Sequence, residues 1–497
     1  MISRRTLLAS SASVAAQAGR KPNFVFIIAD DHAGYVLGAD GNSKVSTPNL
    51  DHFATQGVRF ARHYCNQPVC TPSRQSLLTG QMPSAAGVTV LKTSLDPAKP
   101  TLAKQFKGAG YRTAVFGKMH LNRLSAPGLY GFDEMMTEQD INKAWSAAPA
   151  TRELPPGVGR KPRWQPFKDP ARIWLNADKL PFPRYYEEMR GTFTANRAID
   201  WLTQHKAGAE PFALWVSFPE PHSPYDFPID LKDQYDPKTF EAPKVGPEDA
   251  EQIPLIFRDL TTADKQGIAA SYYTSVSALD RNVGDVLKAL DRLGLAENTC
   301  VFYMADHGYC LGQHGRFEKH CGYEPALRVP LLVRYPGRIR KGAVVQDFTE
   351  HIDVSATITD VMGLDKLPVQ HGQSLRPYLE GKRAATPRKE IFSQYLENEE
   401  VFAADDRWKF IFGSGRRKRT DGYETGNPTP GRYFKLYDKK ADPGEFYNVA
   451  TKHPDVVAVM QQSILRRYRT THPDAQKEPK GLSAVEAMEF YVVPRDA

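Results

Sequence analysis

Apolar residues along this chain cluster in short, nearly unbroken runs. Asn23–Ala29, Thr113–Phe116, Phe212–Phe218, Cys300–Met304 and Val329–Val333 are such runs. A run without polar alternation fits a strand buried on both faces. Segments with helical apolar spacing lie between them. Thr47-Pro48-Asn49 opens one: Thr suits the N-cap, Pro the first turn, and Gly57 the stop. A longer one extends from about Thr262 to Leu293, and Asp353 is expected to cap another that ends near Gly363. Strands alternating with helices predict an α/β fold, with a mostly parallel central sheet flanked by helices.

The pattern changes near Gly381, beyond which the chain is basic and rich in turns. Strand-like pieces at Trp408–Phe412 and Tyr433–Tyr437 and a helix from about Pro454 to Tyr468 predict a smaller C-terminal α+β subdomain with a short antiparallel sheet. The expected organisation is residues 1–18 as a signal peptide, 19–380 as a catalytic α/β domain, and 381–497 as the C-terminal subdomain and tail. The Pro- and Trp-rich stretch 138–183 reads as a surface excursion.

Composition narrows this little: 41% hydrophobic and 25% charged residues are ordinary for a globular protein. The net charge of +8 fits an anionic substrate but equally a solvated surface. The first residues carry more information. Arg4-Arg5, a short apolar run and Ala16-Gln17-Ala18 have the form of a twin-arginine export signal. The expected location is periplasmic or secreted, with no integral membrane segment and no nucleic-acid partner. Five cysteines are an odd number, so at least one is unpaired. Cys70 is read as that one; Cys65, Cys300, Cys310 and Cys321 leave room for up to two disulfides.

The candidate chemistry sits at strand ends. In open α/β sheets, ligands lie beyond the carboxyl ends of the strands. One strand runs into Asp30-Asp31-His32 and another into Asp306-His307-Gly308. Adjacent acids after a buried strand repel unless a cation lies between them. Asp30, Asp31, Asp306 and His307 are therefore candidate ligands of one metal ion, calcium before magnesium, with other divalent ions left open by the His. The stretch Val69-Cys70-Thr71-Pro72-Ser73-Arg74 predicts a helix start at Cys70. Backbone N–H groups there favour an anion, and Arg74 follows one turn on.

Cys70-Thr71-Pro72-Ser73-Arg74, with Thr79-Gly80 downstream and Asp30-Asp31 upstream, resembles the C-x-P-x-R signature of the sulfatase family, in the alkaline-phosphatase-like superfamily. Gly117-Lys118-Met119-His120, Pro221-His222-Ser223-Pro224, Leu311-Gly312-Gln313-His314-Gly315, and Lys319 ahead of Arg328-Val329-Pro330 resemble it in the same order. So do Leu436-Tyr437-Asp438 and Asp442-Pro443-Gly444-Glu445, which extends the resemblance to about residue 450. Two positions depart from it: His307 where many relatives carry Asn, and Met119 where an aromatic residue is common.

The resemblance implies a sulfate ester hydrolase in which a formylglycine-generating or sulfatase-maturating enzyme converts Cys70 to formylglycine. The hydrated aldehyde is then the nucleophile and a further metal ligand. Arg74 and Lys118 would steady it, His120 would serve as base for sulfate elimination, and His222 and Lys319 would bind sulfate and protonate the leaving alcohol. The substrate would be a sulfated glycan or another small alcohol or aryl sulfate. Lys319 has neighbours, His314 and His320, that compete for its role; His32, His63 and His351 read as structural. Two other readings stand beside this one. They are a phosphonate or phosphate ester hydrolase of the same superfamily, and a non-catalytic binder of sulfated glycans using the basic run Arg416–Arg419.

Overall fold

A computed structural model describes residues 20–122, 126–156, 158, 174–206, 208, 210–417, 419, 422–425 and 431–496. The proposed signal peptide, Lys418 and residues 157 and 159–173 of the 138–183 excursion lie outside these. The central sheet has eight strands: β1 (Asn23–Ala29), β2 (Val58–Phe60), β3 (Arg112–Gly117), β4 (Glu134–Thr137), β5 (Phe212–Ser217), β6 (Thr299–Ala305), β7 (Leu331–Arg334) and β8 (Ala343–Val345). Their spatial order is β8-β2-β7-β6-β1-β5-β3-β4. All run in one direction except β7, which is antiparallel to both neighbours. The expected run Val329–Val333 is split. Pro330 lacks an N–H and ends a short strand at Arg328–Val329 before β7 begins.

Side chains alternate between two buried faces. Phe24, Phe26, Ile28, Trp215, Phe302 and Met304 pack under α2 (Cys70–Thr79), α3 (Leu102–Gly108) and α4 (His351–Val361). Val25, Ile27, Leu214, Val216, Val301 and Tyr303 instead meet α1 (Pro48–Gln56), α5 (Arg190–His205) and α6 (Thr262–Arg292). Two caps differ from expectation. Thr47 does not cap α1; its hydroxyl bonds Asp51, and the buried Asp280 of α6 accepts from the Asn49 and Leu50 N–H groups instead. Asp353 is the third residue of α4; Glu350 is the N-cap, and the two form a reciprocal capping box.

The C-terminal residues form a four-stranded antiparallel sheet: β9 (Ile391–Tyr395), β10 (Glu400–Ala404), β11 (Trp408–Gly413) and β12 (Tyr433–Asp438). One face, with Phe392, Val401, Phe410 and Phe412, packs on helices Pro454–Thr471 and Ala484–Tyr491. The other, with Ile391, Phe402, Ile411 and Tyr437, packs on Cys65, Val69, Cys310, Cys321 and Tyr323. The second sheet is thus pressed against the loops that follow the strands of the first. Among the described residues, no helix is long and apolar enough to cross a membrane.

Candidate active site

The parallel strands deliver the chemistry to one edge. Register pairs Ala29 with Ala305, so Asp30 and Asp306 leave adjacent strands side by side. Gly117 pairs with Ser217, which brings Lys118 to the same edge. The Cys70 helix lies across these ends, with Val69 extended before it, so Cys70 is its first residue. This is the expected position for an anionic side chain.

Arg74 ties the edge together. Its Nε donates to Asp306 Oδ2 at 2.8 Å, and one terminal nitrogen lies 3.4 Å from Asp30 Oδ1. The other donates to Lys118 O at 2.6 Å and Ser217 Oγ at 2.7 Å. One buried guanidinium therefore touches the ends of β1, β3, β5 and β6. Lys319 Nζ donates to Asp31 Oδ1 at 2.7 Å and lies 3.0 Å from Cys70 Sγ. His307 Nε2 is 3.2 Å from the same sulfur and Lys118 Nζ 4.0 Å. Lys118 also bonds Asp30. His120 lines the cavity with Cys70, its Nδ1 buried and without a hydrogen-bond partner. His222 lines the cavity above, with Nδ1 2.6 Å from Ser223 O. All ten residues singled out in the sequence thus meet in one place.

Electrostatics follow from burial and this crowding. Burial opposes ionisation of Asp30, but Lys118, His222 and Arg74 outweigh it and hold the carboxyl well below its usual range. Burial likewise opposes the Cys70 thiolate, and Lys118, Lys319 and His307 overcome it, so the thiol lies well below its ordinary value. For Asp306 burial wins over Arg74 and His307, and its pKa is pushed up to about 7. Burial and Lys118 keep His120 below its ordinary value. Asp30 Oδ1 and Asp31 Oδ2 are buried and accept no hydrogen bond. Ligand atoms of Asp30, Cys70, Asp306 and His307 lie within 4.8 Å of one another, as do those of Asp30, Asp31, Cys70 and His222. Orphaned carboxylate oxygens and an acid driven toward protonation are what a missing positive charge leaves behind, so this donor set fits a divalent cation.

Several supporting residues carried no separate signal in the sequence. Ser73 Oγ bonds Asp306 O and lies 3.0 Å from His351 Nδ1, so His351 supports the site from below. His32 bonds Tyr303 and Val36, and His63 bonds Thr349, as structural residues do. Of the competitors of Lys319, His314 turns to Asp249 at 2.6 Å, whereas His320 lines the cavity beside it. The cavity, about 650 Å³, is walled by Cys70, Val90–Thr93, His120, His222, Tyr309 and Lys319. Tyr395, Arg417, Arg419, Tyr423 and Asp496 of the C-terminal part close it. Two residues of the basic run are engaged within the chain: Arg416 pairs with Glu399 at 3.0 Å and Arg419 with Glu318 at 3.1 Å. The other cysteines are also free, with the sulfurs of Cys310 and Cys321 3.8 Å apart.

The model of the sulfatase family matches residues 22–364. This chain belongs to the sulfatase family. A second model, the C-terminal part of N-sulphoglucosamine sulphohydrolase, matches residues 312–470. An N-acetylglucosamine-6-O-sulfatase from Bacteroides thetaiotaomicron is 26% identical, covering 95% of this chain and 91% of its own. An arylsulfatase from Clostridium perfringens is 30% identical over 78% of this chain and 82% of its own. Among solved structures, a phosphonate monoester hydrolase from Silicibacter pomeroyi aligns with a TM-score of 0.75 at 24% identity, covering 92% of this sulfatase and 97% of that chain. A structure in complex with its substrate D-glucosamine-2-N,6-O-disulfate aligns at 0.67 and 22% identity, covering 93% and 100%. The two structures share the alkaline-phosphatase-like fold, and the relatives place this chain among sulfuric ester hydrolases.

Proposed function

We propose that this sulfatase works through a formylglycine made from Cys70 and a divalent cation, calcium before magnesium. Asp30, Asp31, Asp306 and His307 would hold the cation, with the modified Cys70 completing the set. The observation that carries this reading is the convergence of Lys118, Lys319 and His307 on Cys70 Sγ at a helix N-terminus, beside carboxylates with orphaned oxygens. The sulfur stands where a hydroxyl of the hydrated aldehyde would sit. Hydration supplies two hydroxyls on one carbon: one to attack sulfur, and one whose deprotonation expels sulfate and restores the aldehyde. A bound cation would add its double charge to those of Lys118 and Lys319, polarising oxygen and offsetting the sulfate's negative charge.

The protein does the rest. Arg74 and Lys118 hold the strand-end carboxylates and the nucleophile in register. Lys319 and His222 face the sulfate oxygens and deliver a proton to the departing alcohol. His120, in the cavity wall with residue 70, takes the proton that releases sulfate. Cys70 is only 1% exposed, so a maturating enzyme would act before this helix is packed. Residues 1–18 then direct export, the reading supported by Arg4-Arg5 and Ala16-Gln17-Ala18. The cavity has the volume of a small-ligand site and three tyrosines in its wall. It suits a sulfated sugar or a small alcohol or aryl sulfate.

Mass spectrometry of the Cys70 peptide, after co-production with a formylglycine-generating enzyme, tests the modification; an unaltered thiol in fully active protein would overturn it. The fold likeness to a phosphonate monoester hydrolase supports a second reading. Rates on an aryl sulfate and an aryl phosphonate monoester separate the two. A large preference for the phosphonate would sink the sulfate reading.

A further inference from the structure

Three successive backbone carbonyls, those of Lys118, Met119 and His120, are gripped by two successive side chains of the Cys70 helix. Arg74 donates to Lys118 O at 2.6 Å. Gln75 Nε2 donates to Met119 O and His120 O, each at 2.9 Å. Gln75 is fully buried. Its two amide hydrogens match the two carbonyls, and the flipped amide would set oxygen against both of them. His120, the residue it holds, has φ of 51°, in the left-handed region that few non-glycine residues adopt. A residue in such a conformation stays there only while its surroundings impose it. The His120 ring, in turn, lines the cavity beside Cys70, with its Nδ1 free of any hydrogen bond.

We propose that Gln75 is a positioning residue for His120. Its amide clamps the two peptide carbonyls that flank the His120 Cα and so holds the imidazole against residue 70. This rests on the reading of His120 as the group that takes the proton when sulfate leaves. Gln75 does not touch the reacting atoms; it acts only through the backbone of 119 and 120. No other side-chain type of this length brings two donors and no charge. Leu or Met would leave two buried carbonyls unpaired, and Glu would set a carboxylate against them.

The test uses the formylglycine-loaded enzyme and 4-nitrophenyl sulfate under rapid mixing, comparing wild type, Gln75→Leu, His120→Ala and the double variant. Gln75→Leu is expected to lower the steady-state rate about 10-fold or more. It should keep a burst of nitrophenol near one equivalent per active site and leave residue 70 sulfated in the recovered peptide. The double variant should be no slower than His120→Ala, because both changes remove the same function. A Gln75→Leu rate within twofold of wild type would overturn the inference, and so would additive losses in the double variant. If His120→Ala shows no burst, His120 is not the base for sulfate release. Gln75→Leu must still share whatever kinetic signature His120→Ala has, or the positioning role fails as well. Gln75→Met, which keeps length but not donors, serves if Gln75→Leu does not fold; wild-type behaviour from a folded Gln75→Met would equally overturn the inference.

Discussion

Arg74→Lys keeps the charge of the buried cation and removes its shape. The guanidinium reaches four strand ends at once: Asp306 at 2.8 Å, Asp30 at 3.4 Å, Lys118 O at 2.6 Å and Ser217 Oγ at 2.7 Å. An ammonium on the shorter stem still satisfies one carboxylate but not the far pair, Lys118 O and Ser217 Oγ. Each lost contact is a hydrogen bond from a charged donor, worth about 1.5–3 kcal/mol. Ser217 and Lys118 O retain one bond between them, so the net loss is on the order of 3 kcal/mol. If the loosened edge is felt in the transition state, that is about a 100-fold fall in kcat/KM. Arg74→Met should be worse. It strands Asp30 and Asp306 without that cation, and breaking a buried pair costs about 3–5 kcal/mol. The assay is kcat/KM on an aryl sulfate, corrected for formylglycine content, with the thermal midpoint measured alongside. An Arg74→Lys enzyme within threefold of wild type would refute the view of Arg74 as a fork-shaped tie.

Chelation should abolish activity, and calcium should restore it more fully than magnesium; full activity after exhaustive chelation would contradict the metal site. Lys319→Ala should slow sulfates of poorly acidic alcohols by about 10²–10⁴-fold but nitrophenyl sulfate much less, since a good leaving group needs no proton; equal losses on both would mean that Lys319 only binds charge. Burial lifts the Glu220 carboxyl from 4.5 to about 7 in the folded protein, against the opposing pull of Arg190. Its contribution to stability is therefore present below about pH 4.5 and lost as pH rises through 7, so the thermal midpoint should fall between pH 5 and 8 and Glu220→Gln should flatten that slope. Cys310 and Cys321, 3.8 Å apart, should couple under oxidised glutathione; non-reducing peptide mapping that finds both thiols intact would exclude the pairing.

The sulfatase signature was legible because it is local. Cys70 to Arg74 is one helical turn, and a turn imposes its own geometry. Buried strands were equally legible, because strands covered on both faces must be apolar throughout: Asn23–Ala29 has the bounds expected, and Thr299–Ala305 extends its predicted run by one residue at each end. Pro330 and the caps of α1 and α4 were read less well. A cap depends on what lies nearby in space, and the acid serving α1 comes from residue 280.

What the sequence alone determined was the type of chemistry: the residue types, their order and the strand ends that carry them. The tertiary structure decided which of them act together. The parallel register places Asp30 beside Asp306 and Lys118 beside Ser217, so residues from 99 to more than 270 positions apart become neighbours. It also decided that Lys319, not His314, reaches Cys70, and that the far C-terminal part, from Tyr395 to Asp496, walls the cavity. No local pattern encodes such contacts. They arise because the apolar face of the second sheet can be buried only against the loops that carry the site.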